Sequence, residues 1–488
     1  MLFTSFRYLI FLTITVVLYY VVPVRMRLPL LLFASLYFYA VWDPFSLVWL
    51  LMIIVISYLA GIILSQTQDE QKKKQIAALS SGSMLLVLIA FKYKDVLITR
   101  ILNIADAHGL MPASYASDSK RLLAAAVPVG LSFFTFQALG YIFDVARDKT
   151  KASWDFGKYA LFIAFFPHIM QGPIDRADNL LPQMDEVHTF DYEGYNHGLA
   201  MILFGAFKKV VIANRLAVLV DTVYEKVGGY SGQAYWVAAV FFAFQIYCDF
   251  SGYTDMALGS AELMGFRLPV NFKRPFLATS VADFWRRWHI SLSNWFRDYL
   301  YFPLGGSHVS EARWAFNVMV VFLVSGLWHG TSWTFLLWGF LNGLCQVIGK
   351  YKNRLVAGVF GDGYGDRSRI IHCLRVAVTF LIVVLLLIPF RANSLGDLKV
   401  ILKGFFRPMP DFSIYHLGAG RQDVNFSTLL IFFVIVTDVI SETVGGYALL
   451  QKMPVLVRRV FYMACVFVIL LFGVYGSLTS DSFIYFRF

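Results

Sequence analysis

Leu327–Gly339, reading LWHGTSWTFLLWG, sets His329 in the middle of a run apolar enough to enter a bilayer. An ionisable side chain at that depth is expensive to keep and marks a functional site by default, although a lone buried histidine is more often a satisfied core residue. Its surroundings argue for chemistry. Gly326, Gly330 and Ser332 are small enough to let a substrate approach, while Trp328 and Trp333 supply aromatic walls that exclude water. A histidine so placed can take the proton from a hydroxyl as that hydroxyl attacks a thioester carbonyl, because its unperturbed pKa of about 6.5 lies near operating pH. No serine or cysteine motif of hydrolase type stands out, which favours direct transfer over a serine acyl-enzyme.

A second histidine, His289, lies in the run Asp283–Tyr301, with tryptophans at 285, 288 and 295 and with Arg286, Arg287 and Arg297 among them. The spacing predicts one amphipathic helix. Its plain reading is an interfacial anchor, and its functional reading is a guanidinium-rich surface suited to phosphates, such as those of a thioester donor with a pantetheine arm. Tyr247–Asp255 (YCDFSGYTD) places Asp249 and Asp255 in an apolar helix with Gly252 between them. Acids inside membrane spans pair with a base, a backbone donor or a substrate, so at least one is expected to help fix a buried histidine or arginine. Lys208-Lys209 suits headgroup contact and ligand contact equally. The kinked run from Pro128 to Gln137 is read as helix packing, and Phe166–Arg176, broken twice by proline, as a cavity lining.

The elements that must hold these residues follow from composition. The chain has 488 residues, 58% hydrophobic, 17% aromatic and only 15% charged, against about 25% charged in soluble domains. The class is an all-α polytopic membrane protein. Apolar stretches fall near 8–24, 28–42, 45–65, 76–93, 122–145, 158–171, 196–221, 233–262, 314–347, 371–390, 427–447 and 459–478. The stretch 158–171 and parts of 263–310 are too short or too polar to cross alone and read as re-entrant or interfacial pieces. With no repeat or long linker, the chain reads as one integral domain over 1–488, with a core at 122–347, N-terminal helices at 1–93 and C-terminal helices at 371–488. The segment 8–24 is read as a retained first helix, because it lacks a small-x-small cleavage site.

The net charge of +11 does not point to nucleic acid, since the cations sit at the ends of apolar runs and within the central stretch. Membrane orientation and an anionic substrate explain them better. The clusters Arg25–Arg27, Lys72–Lys74, Lys350–Arg369 and Lys452–Arg459 place both termini outside. Cys248, Cys345, Cys373 and Cys465 have no spacing that suggests zinc, redox chemistry or a disulfide framework, and no metal site is expected.

Taken together, PVGLSFFTFQALGYIFDV, FFPHIMQGPIDR, FKKVVIANRLA, YCDFSGYTDMALG, DFWRRWHISLSNWFRDYLYFPLGG and LWHGTSWTFLLWG resemble the membrane-bound O-acyltransferase family, specifically its alginate O-acetyltransferase type. The motifs come in family order over about residues 1–345, and the opening SFRYLIFL and ASLYFYAVWDP fit as well. The resemblance implies a ring of tilted helices around a funnel, with His329 as the catalytic histidine and His289 also needed. Trp285, Arg286, Arg287, Trp328, Trp333, Asp249 and Asp255 would then line or support the substrate passage. It further implies transfer of an acyl group, usually acetyl, from a cytoplasmic thioester such as acetyl-CoA toward an extracytoplasmic polysaccharide. The donor is a substrate, and no bound cofactor is implied. A separate SGNH-type partner would finish the transfer in the membrane of a bacterial cell. Gly172–Arg176 (GPIDR) is shared with the branch that transfers D-alanine to teichoic acids. The aromatic end, Phe483–Phe488, resembles a C-terminal peptide of this branch in which a tyrosine, here Tyr485, would accept the acyl group and hand it on. A belt of aromatics ending the last span is the alternative.

Two further readings stay open at this point. A lipid or protein acyltransferase of the same superfamily would share the chemistry and differ in acceptor. A transporter or flippase would also use intramembrane Asp, His and Arg on proline-broken helices, but such folds often show an internal repeat, and none is seen.

Overall fold

The structure is a computed structural model that describes residues 1–94, 98–99, 104, 127–230, 232–360, 368–407, 414–417 and 420–475. Among them the regular elements are helical, as the apolar composition requires of a chain whose backbone must satisfy itself away from water. Among the described residues, six helices are long and apolar enough to cross a membrane: Pro44–Gln66, Glu70–Lys92, Gln233–Glu262, Arg369–Arg391, Arg421–Thr443 and Val455–Phe472. The last carries Val, Phe and Leu all round and has no buried residue, a surface tolerable only where lipid replaces water.

Chain contacts group the protein into two compact units. The first comprises residues 1–191 and 264–268. It is built from α1 (Phe6–Val21), α2 (Val24–Ala40), α3 (Pro44–Gln66), α4 (Glu70–Lys92), α5 (Leu131–Ala146), α6 (Phe156–Ala164) and α7 (Ala177–Gln183). Its core is aromatic, with Tyr8, Phe38 and Phe166 meeting edge-on or tilted. The stretch 158–171 is a helix only as far as Ala164, and side chains satisfy the freed backbone. Gln137 donates to the Phe162 carbonyl at 2.7 Å, and the Phe166 N–H donates to Ser35 Oγ at 3.1 Å. Gly130 precedes α5 at φ +77°, where a Cβ would also run into the backbone of Met170. Pro128 and Gly130 thus precede α5 and do not kink a helix, whereas the sequence suggested a kinked one. His168, Gln171 and Asp175 are buried.

The second unit holds the remainder. Its long helix α10 (Gln233–Glu262) is enclosed by α8 (Tyr192–Ala206) and α9 (Asn214–Glu225), which are joined through a π-helical segment, Phe207–Ala213. Close approach of α8 and α10 depends on glycine. A Cβ on Gly252 would sit 2.7 Å from the Gly205 carbonyl oxygen, and Gly198 faces Gly259 in the same way seven residues along each helix. Gly252→Val is accordingly expected to cost about 1–3 kcal/mol through overpacking. Gly82→Ala in α4, where nothing lies within 4 Å of the added carbon, should stabilise by about 0.5–1 kcal/mol. Thermal unfolding of the two purified variants in detergent checks both signs.

The run expected as one helix from 283 to 301 breaks in the middle. α11 (Val281–Arg287) and α12 (Ile290–Phe296) are separate seven-residue helices, followed by a π turn at Arg297–Tyr301. The break falls on His289, which adopts the left-handed φ of +44°, uncommon for a residue with a Cβ. Likewise, the single apolar stretch 314–347 divides into α13 (Glu311–His329) and α14 (Trp333–Phe360). These pack as an antiparallel pair: a Cβ on Gly326 would meet the Phe335 carbonyl group, and one on Gly343 would meet Met319 Sδ at 2.8 Å. The order is completed by α15 (Arg369–Arg391), α16 (Leu395–Gly404), α17 (Arg421–Thr443), α18 (Gly446–Lys452) and α19 (Val455–Phe472).

Candidate active site

His329 is the last residue of α13, and Gly330 caps the helix in extended backbone. Its imidazole is 5% exposed and stands edge-on to three rings: Trp328 at 4.8 Å, Trp338 at 5.0 Å and Phe390 at 5.3 Å between centroids. Such edge-to-face contacts fix ring orientation as well as exclude water. Trp338 comes from α14, which folds back on α13, and Phe390 comes from the end of α15. The end of α15 is secured by Thr334, whose hydroxyl donates to the Ala392 carbonyl at 3.3 Å. Arg391 beside it pairs with Asp221 at 2.8 Å and lies over the Tyr224 ring.

His289 is 1% exposed. It meets Phe250 of α10 at 4.7 Å and Trp328 at 6.0 Å, so the two imidazoles contact the same indole. It lies in a connection outside the six spans, and burial lowers its pKa to about 3, which keeps it neutral. Beside this pair opens a cavity of about 580 Å³, lined by Trp285, Arg286, Ile290, Arg297, Phe322 and Ser325 among others. Ser325 precedes His329 by one helical turn, and Ile290 follows His289. Neither histidine lines the cavity itself. Trp285 joins the two regions, since its ring lies 5.7 Å from Trp338 and its Nε1–H donates to Asn342 at 3.2 Å.

The structure sorts the other expected residues by what they touch. Arg286 is exposed on the cavity wall. Arg287 is instead bound to Asp283 at 3.2 Å and Glu442 at 2.9 Å, and so ties α11 to α17. Trp333 is 68% exposed and does not join the rings around His329. That wall is Trp338, because α14 starts at Trp333 and turns position 338 inward. Gly326 and Gly330 do not leave room for a substrate, as Phe335 fills the space beside both.

Asp249 and Asp255 pair with lysines where a histidine or arginine was expected. Lys209 Nζ lies 2.5 Å from Asp249, and Lys208 Nζ lies 2.7 Å from Asp255. The π segment directs both lysines toward α10, whereas the sequence suggested headgroups or ligand. Phe250, the residue after Asp249 in α10, is the one that packs against His289. Tyr485 lies outside the described residues.

Trp338, Phe390, Asn271 and Asn342 were not singled out from the sequence. Trp338 could have been found, because the Gly330-Thr331-Ser332 break implies a helical hairpin that returns α14 past His329. Phe390 and Asn271 carry no such local signal.

Comparison with known proteins places the chain in a family. The profile of the membrane-bound O-acyltransferase family, MBOAT, matches residues 34–386. The chain is 35% identical over 398 residues to the probable alginate O-acetylase AlgI of Pseudomonas aeruginosa, covering 81% of this chain and 73% of that one. It is 32% identical over 424 residues to a peptidoglycan O-acetyltransferase of Helicobacter pylori, covering 80% and 76%. A teichoic acid D-alanyltransferase of Streptococcus thermophilus is 30% identical over 242 residues, covering 45% of this chain and 56% of its own. With a family profile spanning most of its length and a buried histidine at the foot of α13 among aromatic rings, the chain belongs to the membrane-bound O-acyltransferase family and is a multi-pass membrane O-acyltransferase.

Proposed function

We propose that this enzyme moves an acetyl group from a cytoplasmic thioester, acetyl-CoA or an acyl carrier, across a bacterial inner membrane toward an extracytoplasmic polysaccharide. The observation that carries the reading is His329, held by Trp328, Trp338 and Phe390 one helical turn from the cavity of Arg286 and Ser325. His329 takes the proton of the attacking hydroxyl, and the thioester carbonyl passes through a tetrahedral intermediate. The C–S bond then breaks, and the proton leaves with the thiol. The aromatic surround keeps water from intercepting the acyl group. The relatives named for alginate and peptidoglycan O-acetylation favour a sugar hydroxyl as final acceptor and acetyl as the group moved. A D-alanyl group on a teichoic acid-like polymer is the second reading, favoured by the similarity to a teichoic acid D-alanyltransferase.

The exposed Arg286 guanidinium suits donor phosphates. Arg286→Ala is expected to raise KM for the thioester about tenfold with kcat little changed, as loss of uniform binding requires. Arg287→Ala, already engaged by Asp283 and Glu442, should lower thermal stability and leave that KM near the parent value. Steady-state kinetics with both variants separates the roles.

Tyr485 serves as the relay on the outer side, receiving the acyl group and passing it to an SGNH-type partner. Tyr485→Phe should then abolish label on the polymer, and undiminished transfer would discard the relay. The direction of transfer is tested with sealed vesicles given acetyl-labelled CoA on one side only. Label should reach the polymer when the thioester is supplied at the cytoplasmic face, and label arriving equally from the other face would overturn the proposal.

A further inference from the structure

The segment between α10 and α11 carries a buried side chain that speaks to the state of His289. Asn271 is fully buried, and its backbone carbonyl accepts from the Ile290 N–H at 3.0 Å, while the Lys273 N–H donates to the Arg287 carbonyl at 2.9 Å. These two bonds hold the chain at 271–273 against the break between α11 and α12. The Asn271 side chain then reaches into that break. Its Oδ1 accepts from the Ser291 N–H at 3.1 Å and from Ser291 Oγ at 3.0 Å, and lies 3.3 Å from His289 Nδ1.

The chemistry of these contacts fixes which atom faces which. A backbone N–H can only donate, so the amide atom opposite Ser291 is the oxygen and not the nitrogen. An oxygen acceptor can face Nδ1 productively only when Nδ1 carries the hydrogen. Burial keeps the ring neutral, and a neutral imidazole has one N–H. The other nitrogen, Nε2, is therefore the proton acceptor.

We infer that Asn271 is a positioning residue that holds His289 in its Nδ1–H tautomer, so that Nε2 serves as a proton or hydrogen-bond acceptor in the acyl-transfer site. The left-handed backbone of His289, φ +44°, lies inside the same clasp, since the Lys273–Arg287 bond precedes it and the bonds from Ile290 and Ser291 to Asn271 follow it. The site then combines two imidazoles, one ending α13 among aromatic rings and one locked by an amide, both against Trp328. The inference rests on the acyl-transfer reading above and adds a residue to it.

The test uses the full-length protein in detergent, with thioester turnover, thermal unfolding and the nitrogen NMR spectrum of histidine-labelled protein as readouts. The His289 signals are assigned by their loss in His289→Gln. In the parent, Nδ1 should be the protonated nitrogen and Nε2 the bare one. Asn271→Ala should release that tautomer and lower kcat about tenfold or more with donor KM little changed; where an imidazole acts as base, loss of its orienting partner can cost up to about 10⁴-fold. Asn271→Asp, whose carboxylate oxygen still accepts from Nδ1 and Ser291, should recover most of the loss and keeps the test alive if the alanine variant unfolds. In a His289→Ala background, Asn271→Ala should add no further loss, as a residue acting only through another requires. An unchanged tautomer and kcat in Asn271→Ala, or additive losses in the double variant, would overturn the positioning role. If instead His289→Ala itself turns over like the parent, the part of the acyl-transfer reading that includes His289 fails.

Discussion

Replacing His329 with alanine is expected to slow acyl transfer by about 10²–10⁴-fold, the range over which a positioned general base contributes. The loss should fall on kcat and on kcat/KM together, because the imidazole acts on the attacking hydroxyl in the transition state and not on the bound donor. Its surroundings make the experiment clean. The ring is packed by Trp328, Trp338 and Phe390, so a glutamine of similar bulk should keep the packing and lose the base. His329→Gln should therefore unfold near the parent temperature and still turn over at the slow rate of the alanine variant. The measurement is loss of labelled acyl thioester in membranes carrying each variant, normalised to folded protein. Equal thioester loss in parent and His329→Ala would end the case for this histidine as catalyst.

The second large effect is on stability. Lys209 and Asp249 form an ion pair at 2.5 Å with side chains 10% and 4% exposed. Taking one partner away leaves a charge uncompensated in a low-dielectric interior, which costs about 3–5 kcal/mol. Asp249→Ala should thus lower the unfolding temperature sharply, and Lys209→Met should do much the same. Combining Lys209→Met with Asp249→Leu should recover most of that loss, since replacing a buried pair by packed apolar groups is often neutral or better. The more exposed Lys208–Asp255 pair, with both side chains at 26%, should show the same pattern at smaller size. Melting curves of the single and double variants give the coupling directly. If the double variant is as unstable as the singles added together, the pair is not acting as a unit.

Both predictions depend on features that were legible in the sequence to different degrees. His329 stood out because a titratable residue in an apolar run is rare for energetic reasons, and the surrounding motif order pointed to acyl transfer. The all-helical, membrane-spanning class followed from composition alone. The break at His289 was not legible: the run from Asp283 to Tyr301 contains neither glycine nor proline, and the bonds on either side of the left-handed turn come from Asn271 and Lys273, in the segment before α11. The partners of Asp249 and Asp255 were equally hidden. A π segment shifts the register of the helix carrying Lys208 and Lys209, and no propensity in FKKVVIA announces it.

By itself, then, the sequence determined the solvent of this protein, its helical class and its family, and it singled out two histidines as candidates, because hydropathy, cost of burial and motif order are properties of residue type and spacing. Which tryptophan faces His329, which arginine faces the cavity and which cation pairs with each acid of α10 were decided only in three dimensions. Trp338 rather than Trp333 walls the site because α13 and α14 fold back on glycine contacts, and Arg286 rather than Arg287 faces the cavity because Asp283 and Glu442 already hold its neighbour. Such choices depend on atoms distant along the chain meeting at hydrogen-bond range, and local spacing carries no record of that.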